Sequence, residues 1–251
     1  MERFVVSSKL LSTYIYGFFI FLMFCALFTA GPFTLIYWII GGDPRWSFQV
    51  VVRFFWRLFI KMSPVLGNIT ISNPENLNTL KPAIYVSSHQ SSIDFVLLGS
   101  IIKDFATISN HPISDLPIFM KIPRLVGVYY MEKLNPNAAI TVFNRLTKAL
   151  QKGTNVFIFP EGTRNYSETL LQFQKGAFRL SVDNQIPIVP VIIDGTGRIV
   201  SKGSNVTKTS QATDIEVFFL DPIYPQDGET VRALMKRVKE TMQTEVTKNF
   251  S

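Results

Sequence analysis

Ala83-Ile84-Tyr85-Val86-Ser87-Ser88-His89-Gln90-Ser91-Ser92-Ile93-Asp94 passes from an apolar run through six polar residues into a second apolar stretch ending at Ile101. The opening run predicts a buried strand over 83–86 and the closing stretch a helix over 94–101. The same alternation continues downstream. Apolar runs at 105–108, 126–130, 156–159, 188–193 and 215–220 read as strands, and 137–151 and 230–248 read as helices. Helix and strand in alternation predict an α/β domain, with a mixed sheet flanked by helices. Val231, Leu234, Met235, Val238, Met242 and Val246 recur at helical spacing, so the last helix is expected to pack on that sheet.

Upstream of this pattern the chain changes character. From Leu10 to Gly42 there is no charged side chain, and a helix of that length would cross the roughly 30 Å hydrocarbon layer of a bilayer. Gly31-Pro32 near its middle is a point at which it could break. Basic residues flank the stretch on both sides, so two arrangements stay open: one tilted span, or a helical hairpin that enters and leaves by the same face. A second helix is predicted over 46–61, with Arg53, Arg57 and Lys61 on one side among aromatic residues. Such a helix suits the headgroup layer, its cations near lipid phosphates. The expected organisation is therefore an N-terminal membrane-embedded helical segment, residues 1–62, followed by the α/β domain, residues 63–251.

Charge and composition narrow the partners. The chain carries a formal charge of +7, and residues 1–62 hold six basic against two acidic side chains, a net +4 beside the apolar stretch. An anionic membrane surface fits this distribution; a nucleic-acid groove does not, because no basic run alternates with exposed stacking residues. Cys25 is the single cysteine, which excludes an intramolecular disulfide framework and a thiolate metal cluster.

Two segments carry candidate chemistry. His89 follows a strand, where ligand sites form in α/β sheets, and an imidazole there can accept a proton near neutral pH. Asp94, five residues on, is placed to orient it, although this spacing alone fits a structural histidine equally well. The other histidine, His111, precedes Pro112 in a loop-like stretch with no second feature beside it. The other segment is Phe159-Pro160-Glu161-Gly162-Thr163-Arg164, directly after a strand. Pro160 ends the ladder, Gly162 permits a tight turn, and Arg164 with exposed amides can hold a phosphate. Glu161 would repel a phosphate at contact range, so it is expected to hold the loop or bond a ligand hydroxyl.

Taken together, these segments resemble the glycerolipid acyltransferase family, whose activities include acylation of 1-acyl-glycerol-3-phosphate. The family pattern of His, four residues and Asp is matched by His89 and Asp94, and its Phe-Pro-Glu-Gly-Thr-Arg block by Phe159 to Arg164. A third block looks like Gly127-Val128-Tyr129-Tyr130-Met131-Glu132-Lys133, and a fourth like Ile186-Pro187-Ile188-Val189-Pro190-Val191. The resemblance covers about residues 81–195. Lys133 stands where the family commonly has arginine, and Ser114-Asp115-Leu116-Pro117 lacks the lysine usual in that segment. Both departures bear on headgroup recognition.

The resemblance implies a reaction without a resident cofactor, in which acyl-CoA or acyl-carrier protein is the donor substrate and a lysophospholipid the acceptor. It assigns His89 as general base and Asp94 as its partner. Lys133, Glu161, Gly162, Thr163 and Arg164 are then expected to bind substrate, and Phe119, Leu125 and Val128 either line an acyl groove or fill the core. Direct transfer is expected rather than an acyl-enzyme, since no G-x-S-x-G elbow is present. The implied location is the membrane, at its inner or cytoplasmic face, with the α/β domain in the cytoplasm. Another lysophospholipid or lyso-aminolipid acceptor stays open, as does a membrane-associated binding protein that keeps the fold without the activity.

Overall fold

The computed structural model describes residues 2–109, 123–131, 136–165, 167–200 and 211–250. The chain divides into two compact units: Met1–Thr70, Ser91–Ile101 and Gly195–Ile215 form one, and Ile71–Gln90, Ile102–Asp194 and Glu216–Ser251 the other.

In the first unit, α1 (Glu2–Ile39) and α2 (Pro44–Met62) form an antiparallel hairpin. Asp43 caps α2 by accepting from the Arg45 amide at 2.8 Å, and Pro44 occupies the first turn, where its missing N–H costs nothing. Tyr37 meets Trp46 near the turn, and Phe19 meets Phe59 further down, with ring centroids 5.4 and 5.0 Å apart. The helix runs unbroken through Pro32. At 38 residues, α1 extends about 57 Å, ample to cross a bilayer by length and composition. Phe21, Phe24, Phe28, Ile36 and Ile39 stand exposed along it.

Phe48, Val52, Trp56 and Phe59 form the buried stripe of α2 at helical spacing. Trp56 packs edge-on against Phe95 of α3 (Ile93–Ile101) and lies so close to Gly99 that a Cβ there would fall 2.3 Å from the indole. Two basic residues of α2, Arg53 and Arg57, bond within the chain, in contrast to the expectation that they lie near lipid phosphates, while Lys61 is exposed. Arg53 Nη2 donates to the carbonyls of Ser100 and Ile101 at 3.3 and 3.4 Å, and Arg57 Nε donates to Ser100 at 3.0 Å. Both guanidiniums thus complete the C-terminus of α3, where orphan carbonyls and the helix dipole favour cations. Burial, with the neighbouring Arg57 charge, lowers Arg53 to about 10.

One seven-stranded sheet runs through the fold in the order β1-β7-β6-β2-β5-β3-β4. The strands are β1 (Leu66–Ser72), β2 (Ile84–Ser87), β3 (Phe105–Ser109), β4 (Val128–Tyr130), β5 (Asn155–Ile158), β6 (Ile188–Asp194) and β7 (Thr213–Phe219). β2 is central, parallel to β5 and β6 with Ile84 opposite Val156 and Ile188, whereas β7 runs antiparallel to β6. β2 is buried at every position, as a parallel strand covered on both faces must be.

In the second unit, α4 (Pro136–Gln151), α5 (Gly176–Asn184) and α7 (Val231–Phe250) build the main core with the sheet; the short α6 (Thr196–Ile199) belongs to the first unit. Leu146, Phe178, Val238 and Met242 pack with Ile84, Val86, Val156 and Ile188. Alternate positions serve another cluster, in which Tyr85 meets Phe219 and Phe105 meets Phe157. The predicted strands and helices all have counterparts here. β1, α5 and the short α6 fall outside the predicted elements: in β1 only Leu66 is buried, with Asn68 and Thr70 exposed, and α5 carries few strong apolar signals.

Candidate active site

In the second unit, β2 delivers His89 to the carboxyl edge of the sheet. The polar residues after the strand stay pinned to β6, since Ser88 N–H donates to Val191 O at 3.0 Å and Ser88 Oγ accepts from the Ile193 amide at 2.9 Å. His89 is half-buried, its ring stacked on Phe159 with centroids 4.1 Å apart and planes 21° from parallel. Phe159 opens the second motif, so both chemistry-bearing segments meet at this stack.

The loop after β5 then folds back on itself. Gly162 N–H donates to Phe159 O at 3.1 Å with φ at +64°, and a Cβ on Gly162 would lie 2.4 Å from the Gln174 amide nitrogen. Glycine answers both demands. Asn165 N–H donates to His89 O at 2.7 Å, while its side-chain amide donates to Glu161 Oε2 at 3.0 Å and to Thr169 O at 2.8 Å. Leu171 N–H supplies a second donor to Glu161 Oε2 at 2.9 Å. Glu161 is buried, and its Oε1 has no hydrogen-bond partner. Burial pushes the Glu161 carboxyl up; the bonds from Leu171 and Asn165, then the amide and charge of His89, pull part of the way back.

Thr163 and Arg164 continue the loop, both half-buried. Among the described residues no hydrogen bond or ion pair engages the Arg164 guanidinium. The structure thus gathers His89, Glu161, Gly162, Thr163 and Arg164 in one unit, and it adds Asn165, which the sequence reading does not assign to the site. Its signal lay in the Asn165–Ser167 spacing: Asn165 Oδ1 accepts from Ser167 N–H at 3.0 Å, an Asx turn.

Asp94 belongs to the first unit. It is fully buried at the start of α3, where Oδ2 accepts from Ser91 N–H at 2.7 Å and Ser91 Oγ accepts from Ile93 N–H at 3.4 Å. This is a variant capping box, legible as Ser-x-x-Asp, in which Asp94 reaches back to the Ser91 amide while the Ser91 hydroxyl takes the amide before Asp94, and it restrains the rotamer of Asp94. Oδ1 accepts from Thr196 Oγ1 at 2.5 Å. Val128 is buried as core, and Leu125 lies at the surface. Lys133, Glu132, His111, Phe119 and the segment 114–117 fall outside the described residues.

Three comparisons bear on this arrangement. A family model described as Acyltransferase matches residues 68–194. A chloroplastic 1-acyl-sn-glycerol-3-phosphate acyltransferase of Arabidopsis thaliana is 35% identical over 69% of this chain and 47% of its own length. The human 1-acyl-sn-glycerol-3-phosphate acyltransferase beta is 30% identical over 69% of this chain and 63% of its own. The matches thus span between about half and two thirds of these curated relatives. The crystal structure of the 1-acyl-sn-glycerophosphate acyltransferase PlsC of Thermotoga maritima superposes with a TM-score of 0.77 at 21% identity, covering 99% of this chain and 97% of that one. With the matched family model covering its central half and the His89 and Phe159–Arg164 segments joined at one stack, the chain belongs to the glycerolipid acyltransferase family.

Proposed function

We propose that the protein transfers a fatty acyl group from an acyl thioester to the sn-2 hydroxyl of 1-acyl-glycerol-3-phosphate, forming phosphatidate. The observation that carries this reading is the packing of the intact Phe159–Arg164 block against His89, through the ring stack and the bond from Asn165 N–H to His89 O. His89 takes the proton of the acceptor hydroxyl as its oxygen attacks the thioester carbonyl carbon. The tetrahedral intermediate then collapses, the carbon–sulfur bond breaks, and the proton leaves with the thiol. Asp94 holds the imidazole in register and stabilises its charged form.

Arg164, with no polar partner among the described residues, binds the acceptor phosphate by a charge-assisted fork, and Lys133 adds a point charge. Glu161 divides its work: Oε2 holds the loop, and Oε1 is left to accept from a ligand hydroxyl. Gly162 and Thr163 shape the turn and present backbone donors. The exposed apolar surface of α1 docks the enzyme in the membrane, with the α/β domain on the cytoplasmic side. The long-chain acceptor and product then need not pass through water, where each methylene exposed costs about 0.8 kcal/mol.

A donor-by-acceptor activity matrix with membrane-reconstituted protein tests this reading, using acyl-CoA and acyl-carrier protein as donors. Turnover highest with lysophosphatidate is the expected result. Efficient turnover confined to zwitterionic or uncharged lysolipids would overturn the assigned acceptor, and inactivity of folded protein across the matrix would overturn the activity itself.

A further inference from the structure

A carboxylate that is fully buried is costly unless donors surround it. Asp94 answers that demand partly through its own helix, since the Ser91 amide reaches Oδ2. The other oxygen is met from 102 positions away in the chain, by the hydroxyl of Thr196 at 2.5 Å. Thr196 is itself fully buried. A valine would fill the same volume there and donate nothing, so packing alone does not account for a hydroxyl.

The backbone before Thr196 is equally constrained. Gly195 adopts φ +97°, and a Cβ on it would lie 2.3 Å from the carbonyl oxygen of Asp214 and 3.2 Å from the Ile215 Cα. Only glycine accepts both that conformation and that approach. Close contact with the start of β7 therefore sets where Thr196 begins, and the hydroxyl is held to a narrow range of positions relative to Asp94.

We infer that Thr196 is a positioning residue for the reaction, whose hydroxyl and the Ser91 amide clamp the two oxygens of Asp94 so that the carboxylate can hold one orientation throughout turnover. The inference rests on the reading of Asp94 as the partner of His89. The capping box restrains rotation about the Cα–Cβ bond, and the Thr196 bond restrains the carboxylate plane, which the capping box leaves free. With Thr196 in place, the carboxylate presents a fixed edge to the group it orients. Without it, the carboxylate plane turns, and the imidazole loses its register while substrates still bind.

The test compares wild type with Thr196→Val, Thr196→Ser, Asp94→Ala and the Asp94→Ala/Thr196→Val double variant in the full chain, reconstituted in phosphatidylcholine vesicles. Steady-state assays use acyl-CoA and lysophosphatidate, with a melting curve for each protein. Thr196→Val is expected to lower kcat about tenfold, with KM for both substrates unchanged within about twofold, and Thr196→Ser to restore most of kcat. The double variant is expected to be no slower than Asp94→Ala alone, because the two residues act as one unit.

Wild-type kcat in Thr196→Val, with Asp94→Ala impaired, would overturn the role of Thr196 and leave the Asp94 reading standing. Wild-type kcat in Asp94→Ala would overturn both. A further fall in the double variant, or a Thr196→Val protein that melts lower but turns over normally, would assign Thr196 to structure alone. Should Thr196→Val not fold, Thr196→Ser against Thr196→Ala carries the same comparison; equal kcat in those two would refute the inference.

Discussion

Asn165→Ala probes the loop that joins the two motifs. The substitution removes three side-chain hydrogen bonds: to Glu161 Oε2, to Thr169 O, and from Ser167 N–H. A bond to an ionised carboxylate contributes about 1.5–3 kcal/mol and a neutral one about 0.5–1.5. Asn165 is half-buried, so the lower end of each range applies, for a total of about 2.5 kcal/mol. Spread over the unfolding entropy of a 251-residue chain, that is a fall in Tm of about 5 °C.

The loss also depends on pH. Burial raises the Glu161 carboxyl above its ordinary value. A raised carboxyl contributes stability that is fully present below its unfolded value and lost as pH rises through its folded one. Asn165 opposes that loss by donating to the charged form, so removing it raises the carboxyl further and deepens the deficit as pH rises. When Glu161 is protonated the charged bond becomes a neutral one, and the deficit shrinks to about 1.5 kcal/mol, or about 3 °C. Melting both proteins in detergent at about pH 8 and about pH 3, above and below the ordinary glutamate value, checks this. A deficit that is the same at both pH values, or larger at the acid one, would refute the coupling of the Asn165 bond to the charge on Glu161.

His89→Ala and Asp94→Ala are each expected to cut kcat with the fold intact, His89 the more severely, by about 100- to 10,000-fold; near wild-type turnover in folded His89→Ala would end the general-base reading. Arg164→Ala is expected to weaken phosphate-bearing acceptors more than acceptors lacking phosphate, and an equal loss for both, with saturation unchanged, would place Arg164 in structure. For the hairpin, cysteines introduced at the exposed Lys9 and Met62 in a Cys25→Ser background are expected to react with an impermeant reagent from the same side of sealed vesicles. Labelling from opposite sides would show that α1 spans and that the hairpin does not return.

Much of this protein is written in short-range pattern. The fully apolar runs of β2 and β5, the helical spacing of Leu234, Val238 and Met242, and the charge-free length of α1 depend on which residues are neighbours along the chain. So does the Ser91–Asp94 capping box, because its bonds close within one helical turn. The His89 and Phe159–Arg164 segments were likewise legible as motifs, each on its own strand end. What tertiary structure decided is where these pieces point. No local rule turns Arg53 and Arg57 from lipid phosphates to the carbonyls of Ser100 and Ile101; that follows from Trp56 seating against Gly99. The stack of His89 on Phe159 depends on strands that the sheet makes neighbours. Thr196 had no signal at all, because its meaning is a hydrogen bond across 102 positions. Propensity and spacing act over a few residues, whereas such a bond exists only once sheet order and register have brought distant segments together.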